Sequence, residues 1–513
     1  MAKLEQSCFV KCTPGGEKIP ILQSSSKFLN VNAEEVSNSS SNNNNHEFHV
    51  VLASLCAAVG SLCFGYCLGY SSPALPDLTT ESNDKVRLTE SQGSLFASLV
   101  TLGAMLGCLF GGFVVDYFGR KTTIMLSTIP HELGWLLIVY AKNQAMLYTG
   151  RLFTGVGCGL IGVAFPVYVA EISSSHLRGT LGTIHQLAVT IGILLSYVVG
   201  VFMGWRHIAL GGAIMPAILV LLMIFMVETP RWYLAHNKRA AALKTLLWLR
   251  GPEADIEEEC FEIERTIDMH NEISCSEFCR PSITKPLFIG VCLMVFQQTC
   301  GAIVVVMNCA EIFATAGFKD SKMVSISVAV TQFVANIVAC GIMDRIGRRT
   351  LLLSMALGMC ACHIGLGIFF QISTNEILST NSTIHYSGFS HSVPAHQVSW
   401  LAITCLLIFY ITFSLSWGPV PWIIMSEIFP LRARGIAGSI ATMAAFSSAF
   451  LLTWLFVHMK DAFTVPGVYW FYAGCCFLSF IFVLIFLPET KGESLETIET
   501  FFENRKTTYD EIE

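Results

Sequence analysis

The sequence predicts an all-α membrane protein of twelve transmembrane helices in two six-helix halves. Three observations carry this. Hydrophobic residues make up 53% of the chain and charged residues only 13%, against about 25% charged in a soluble domain. Twelve segments are apolar over the roughly 20 residues that a helix needs to cross a bilayer. The charged motifs at the ends of those segments recur in the second half of the chain.

The elements follow in order. Residues 1–48 are polar, with a Ser/Asn run from Ser37 to Asn45, and read as a disordered cytoplasmic tail. The first apolar run starts near His49, too late for an ordinary cleaved signal peptide, so it is expected to stay as span one. Residues 49–227 hold six spans, near 49–70, 91–115, 122–141, 147–170, 181–204 and 208–227. Residues 228–285 are charged and form a cytoplasmic linker of short helices. Residues 286–487 hold the other six spans, near 286–308, 322–343, 351–372, 398–424, 435–458 and 467–487. Residues 488–513 form a second cytoplasmic tail.

Basic residues orient the bundle. With the N-terminus inside, Arg120, Lys121, Arg178, Arg345, Arg348, Arg349, Arg432 and Arg434 fall on inner connections. The outer loops carry few. Asn381-Ser382-Thr383 then lies outside, before span ten, where a glycan can be added to Asn381.

The halves repeat. Asp116-Tyr117-Phe118-Gly119-Arg120-Lys121 after span two matches Asp344-Arg345-Ile346-Gly347-Arg348-Arg349 after span eight. Glu171 and Arg178 after span four match Glu427 and Arg434 after span ten. Glu228-Thr229 matches Glu489-Thr490. The offset grows between the first and second of these matches, which places an insertion in the polar loop near 373–397. Paired six-span halves mark an alternating-access carrier.

As a set and in order, GGFVVDYFGRK, GRLFTGVGCG, PVYVAEI, VETPRW, FQQ, DRIGRR, GPVPW and LPETKG resemble the sugar porter family of the major facilitator superfamily. Tyr70-Ser71-Ser72-Pro73-Ala74 and the long loop with its sequon are most similar to class III facilitative hexose transporters and to facilitated trehalose transporters. The resemblance implies the major facilitator fold and sugar transport, with a small-molecule sugar and the lipid bilayer as partners.

A sugar offers hydroxyls that donate and accept, and amide side chains match them. An indole adds a flat face and one N–H. Gln186, Gln297, Gln298, Gln332 and Trp422 match sugar-contacting positions of the family, though amides in a bundle also simply bond neighbouring helices. Two polar positions of the family's pattern are replaced, by Ile303 after Gly301-Ala302 and by Ala445 in span eleven. Asn308 lies one turn or so beyond the first of these and is the candidate to compensate. The site is therefore expected to be more apolar than that of a standard glucose carrier.

Gly418, Pro419 and Pro421 interrupt span ten. Proline removes a donor and clashes one turn back, so a gating hinge beside Trp422 is expected. By resemblance, Asp116, Arg120, Glu171 and Arg178 of one half and Asp344, Arg348, Glu427 and Arg434 of the other form a cytoplasmic salt-bridge latch. Positive-inside topology explains the arginines but not the repeated acids.

Coupling to protons needs an ionisable group in the membrane. Gly65-Tyr66 is followed by Cys67, where proton-coupled relatives carry an acid, which favours uniport. His131 and Glu132 in span three are the counter-candidates; the plainer reading is a pair that bonds a neighbouring helix. Arg151 opens span four and is expected to bond carbonyls or an acid.

Other classes are disfavoured. The net charge of −6 shows no basic face for nucleic acid. Cys275 and Cys279 lack a second pair to complete a zinc set, and other cysteines sit in apolar runs as small hydrophobes, so no metal and no cofactor is expected. No nucleophile–base set appears, so no catalytic residue is expected. A sugar sensor is a rival reading, but the tail after Gly492 is short for one. The expected home is the plasma membrane. Glu17-Lys18-Ile19-Pro20-Ile21-Leu22 fits an acidic dileucine signal and keeps an endosomal or lysosomal membrane as the alternative.

Overall fold

The computed structural model describes residues 25–79, 86–174, 178–252, 254–268, 281–315, 318, 320–342, 346–382, 395–429 and 434–489. For some helical stretches, among them 25–46, 178–180 and 374–382, it describes the backbone alone.

Among the described residues, eleven helices are long and apolar enough to cross a membrane. The last of them, Arg434–Phe486, is two spans. Its 53 residues would reach about 80 Å if straight, well over twice the ~30 Å hydrocarbon layer. The chain reverses at Thr464, whose φ is 64°, two residues before Pro466. Twelve spans result.

Span one is the helix Ser25–Gly69, and Ser71–Thr79 continues it outward. Its start differs from the expected tail over 1–48. A helix nucleated by an apolar span adds further residues without a second nucleation cost, so Ser and Asn residues are carried into it despite weak helix propensity. Span two is Glu90–Phe118, opened by a capping box between Thr89 and Gln92. Span three is Arg120–Leu126 with Thr128–Val139, span four Gln144–Ile172, span five Arg178–Phe202 and span six Trp205–Ile224. Three short helices follow in the linker: Pro230–Ala235, Arg239–Arg250 and Ile256–Asp268.

Span seven is broken in two, Pro281–Thr299 and Ala302–Thr315. Gly301 sits in the break at φ +85°, and a Cβ there would meet the Tyr472 ring at 2.9 Å. Only glycine tolerates both the backbone and the space. Span eight is Ser321–Ile342 and span nine Arg348–Ser382. Span ten runs from Ala395 to Thr412, passes through a π-helical turn at Phe413–Trp417, and resumes as Val420–Ile428. The wide turn closes on the Gly418 N–H donating to the Phe413 carbonyl at 2.8 Å. The break thus falls at Gly418 and Pro419, because Pro419 has no N–H to continue the ladder.

Helices within a half pack closely through small residues. A Cβ at Gly103, Gly107, Gly155 or Gly159 would collide with the facing backbone of span two or four, the close approach that stabilises helices in lipid.

The halves meet at their outer ends. Ser94 Oγ donates to the carbonyls of Thr453, at 2.7 Å, and Trp454, at 2.9 Å. Lys322 pairs with Asp77 at 2.7 Å. Ser72 Oγ accepts the Ala310 N–H at 3.0 Å, and Tyr197 donates to the Val306 carbonyl. Near mid-membrane Asn336 donates to Thr190 Oγ1 at 2.7 Å. These bonds join spans one, two and five to spans seven, eight and eleven.

Candidate functional site

Span seven carries two adjacent glutamines, the first of them beside the break in span ten. Gln297 Nε2 donates to the carbonyls of Trp417, at 3.0 Å, and Gly418, at 2.7 Å. Those carbonyls are exposed for bonding because the π-turn displaces the ordinary ladder of span ten. Gln298 donates in turn to Gln297 Oε1 at 3.1 Å. Gln297 therefore ties span seven to the break in span ten, and its N–H donors are taken up by the protein.

Asn308 likewise differs from its expected use. It is buried, with φ −117° inside its helix, and its amide donates to the Val304 carbonyl at 2.9 Å. A short amide beside a kinked turn is captured by the nearest carbonyl, so it does not replace the group missing at Ile303.

The Gln186 and Gln332 amides and the Trp422 indole make no hydrogen bond among the described residues. Gln332 is buried, Gln186 half-buried and Trp422 exposed over 36% of its surface. Spans five and eight, which carry the two glutamines, pack against each other and are joined by Asn336 and Thr190.

Sequence reasoning missed several polar groups beside these. Ser61 Oγ lies 2.7 Å from His185 Nδ1, and His185 packs between Phe64 and Phe165. Phe64 also meets Phe446 of the other half edge-on, 6.1 Å between ring centres. His363 Nε2 donates to the Cys300 carbonyl at 2.8 Å, and Tyr410 to the Ala302 carbonyl at 3.0 Å. Both hold carbonyls left over by the break in span seven. The only sequence signal was a histidine or tyrosine inside an otherwise apolar span.

At the inner end three ion pairs among the described residues join groups of the same half. Arg120 meets Asp116 at 3.5 Å and Glu171 at 3.0 Å. Arg348 meets Glu427 at 3.4 Å. Asp344 lies outside the described residues, and only the backbone of Arg178, Arg434 and Asn381 is described. Each half repeats a further contact. Glu228 accepts the backbone N–H groups of Arg120, Lys121, Thr122 and Thr229, and Glu489 accepts those of Arg348 and Arg349. Burial pushes the Glu228 carboxyl above the usual carboxylate range, against the pull of these four donors.

Arg151 is fully buried. Its guanidinium donates to the carbonyls of Cys67, at 2.9 Å, and Phe96, at 3.4 Å, and to Ser71 Oγ. It lies over the rings of Tyr70 and Phe96.

The profile of the "Sugar (and other) transporter" family matches residues 53–502. The chain belongs to this family. It is a multi-pass membrane carrier for sugar, not an enzyme. Similar relatives include "Solute carrier family 2, facilitated glucose transporter member 8" of Mus musculus, 39% identical over 89% of this chain and 95% of the relative. The "Facilitated trehalose transporter Tret1" of Bombyx mori is 34% identical over 88% of this chain and 86% of its own. Among solved structures, the inward-open xylose transporter XylE of E. coli superposes with a TM-score of 0.70 at 26% identity, covering 88% of this chain and 99% of that one. The proton:xylose symporter XylE bound to 6-bromo-6-deoxy-D-glucose gives 0.73 at 25%, with the same coverage. The carrier's fold is thereby that of the major facilitator superfamily.

Proposed function

We propose that this carrier is a facilitative uniporter of a hexose such as glucose or fructose, working by alternating access. The observation that carries uniport is the environment of Arg151. Its bonds go to two carbonyls and a hydroxyl, and Cys67 stands where a proton-coupled carrier needs an acid. A buried cation satisfied by neutral groups gives no carboxylate that exchanges a proton during the cycle. The facilitated carriers among its relatives support the same reading.

In this reading Gln186, Gln298, Gln332 and Trp422 contact the sugar: among the described residues the Gln186 and Gln332 amides and the Trp422 indole make no hydrogen bond, and Gln298 is bonded only through its amide N–H to Gln297. Gln297 positions span seven on the hinge at Gly418, Pro419 and Pro421. The latch of Asp116, Arg120, Glu171, Arg178, Asp344, Arg348, Glu427 and Arg434 brings the inner ends of the halves together when the outer mouth opens. Asn381 carries a glycan, and the plasma membrane is the carrier's site.

Uptake of labelled glucose into proteoliposomes, with and without an imposed pH gradient, tests the proposal. Equilibration to equal concentrations under both conditions is expected. Accumulation only with the gradient would establish symport and direct attention to Glu132 and His131. A competition panel of hexoses, polyols and trehalose against the same label separates the hexose reading from a trehalose carrier.

A further inference from the structure

We propose that Cys67, His131 and Cys158 form a copper(I)-binding site inside the N-terminal half. The three come from spans one, three and four. Their two Sγ atoms and one imidazole nitrogen all lie within 4.8 Å of one another, and all three residues are fully or almost fully buried.

The histidine is oriented for ligation. His131 Nδ1 lies 2.9 Å from the Ser127 carbonyl, which accepts only from an N–H. That bond fixes the tautomer, leaving the Nε2 lone pair toward the thiols. An imidazole held by a backbone carbonyl on its far nitrogen is the usual support of a metal-ligating histidine. Nε2 is 3.6 Å from Cys158 Sγ. A closed-shell ion about 2.0 Å from nitrogen and about 2.3 Å from sulfur holds the two roughly 3.5–3.8 Å apart. Gly157 makes room for the ring: a Cβ there would lie 2.1 Å from His131 Nδ1.

Charge selects the ion. Arg151 donates to the Cys67 carbonyl at 2.9 Å, so a fixed positive charge borders the site. Copper(I) with two thiolates carries one negative charge, which Arg151 neutralises. Zinc(II) with the same ligands leaves the buried cluster one charge positive, which a low-dielectric interior penalises. Structural zinc also takes four ligands, and the described residues offer three. Soft thiolates suit copper(I) and zinc alike, so charge and ligand number make the choice. On binding, each thiol loses one proton, so two protons leave for each ion that enters. The bound ion links spans one, three and four within one half.

The full chain, purified anaerobically from cells grown with added copper and washed with the copper(I) chelator bicinchoninate, tests the site. One copper equivalent is expected to survive the wash, with sulfur and nitrogen scatterers in its X-ray absorption spectrum. Cys67→Ala and, separately, His131→Ala are each expected to lose that equivalent. Should one variant fail to fold, Cys158→Ser serves in its place. Equal copper in wild type and in the folded variants overturns the proposal. So does retention of zinc in place of copper, or a Cys67–Cys158 disulfide in the purified chain.

Discussion

Glu228 Oε1 accepts the backbone N–H of Arg120 at 3.0 Å, and in the other half Glu489 accepts that of Arg348 at 2.8 Å. Each acid at the end of the sixth span of a half thus caps the start of the third. The two sequence repeats, GRK/GRR and E-T, are partners in one contact. Glycine precedes each capped helix because a Cβ at Gly119 or Gly347 would lie 2.4 Å from the carboxylate.

Glu228→Ala leaves up to four N–H groups, three part-buried and that of Thr229 buried, without an acceptor. A loss of about 1–3 kcal/mol is expected, seen as a lower unfolding midpoint of the detergent-purified carrier. Glu228→Gln, which keeps one acceptor oxygen, is expected to fall between it and wild type. An unchanged midpoint for the alanine variant would remove the cap from the account.

Gln298→Ala is expected to reduce sugar flux at least tenfold at equal protein level, through a raised KM. Gln297→Ala acts differently, because its N–H groups hold Trp417 and Gly418. It is expected to lower the maximal rate more than the affinity. Initial-rate uptake over a range of sugar concentrations distinguishes the two; the same pattern in both variants would contradict the division of roles.

Lys322 and Asp77 pair across the halves at 2.7 Å. Both are partly exposed, so the pair is worth about 0–1 kcal/mol. Lys322→Ala is therefore expected to shift the balance toward the outward-open form by no more than about fivefold. The double swap Asp77→Lys with Lys322→Asp is expected to restore it. Labelling rates of a single cysteine placed in the outer mouth measure the shift.

Ile303→Asn adds an amide where the family's pattern carries one. If Asn308 is held by the Val304 carbonyl, it does not already supply that bond. Glucose is then expected to bind more tightly by about 0.5–1.5 kcal/mol, or roughly two- to tenfold in Kd. Calorimetric or fluorescence titration reads this directly, and no gain in affinity would show that the apolar site has another cause.

The chain's local chemistry was enough for the twelve spans, their paired halves and the break in span ten. Hydropathy over 20 residues, a repeated charge motif and a proline act within one helix or its ends, so they are readable without the fold. The break at Gly301 left only a glycine as signal. What the tertiary structure decided is which polar groups remain uncommitted. Gln297 and Gln298 are neighbours of one residue type, yet one bonds the carbonyls at the break in span ten and the other, among the described residues, bonds only its neighbour. Cys67, His131 and Cys158 lie far apart in the chain and converge only when three helices pack. The rotation of each helix about its own axis settles these partnerships, and packing against neighbours sets that rotation. No single span carries that information.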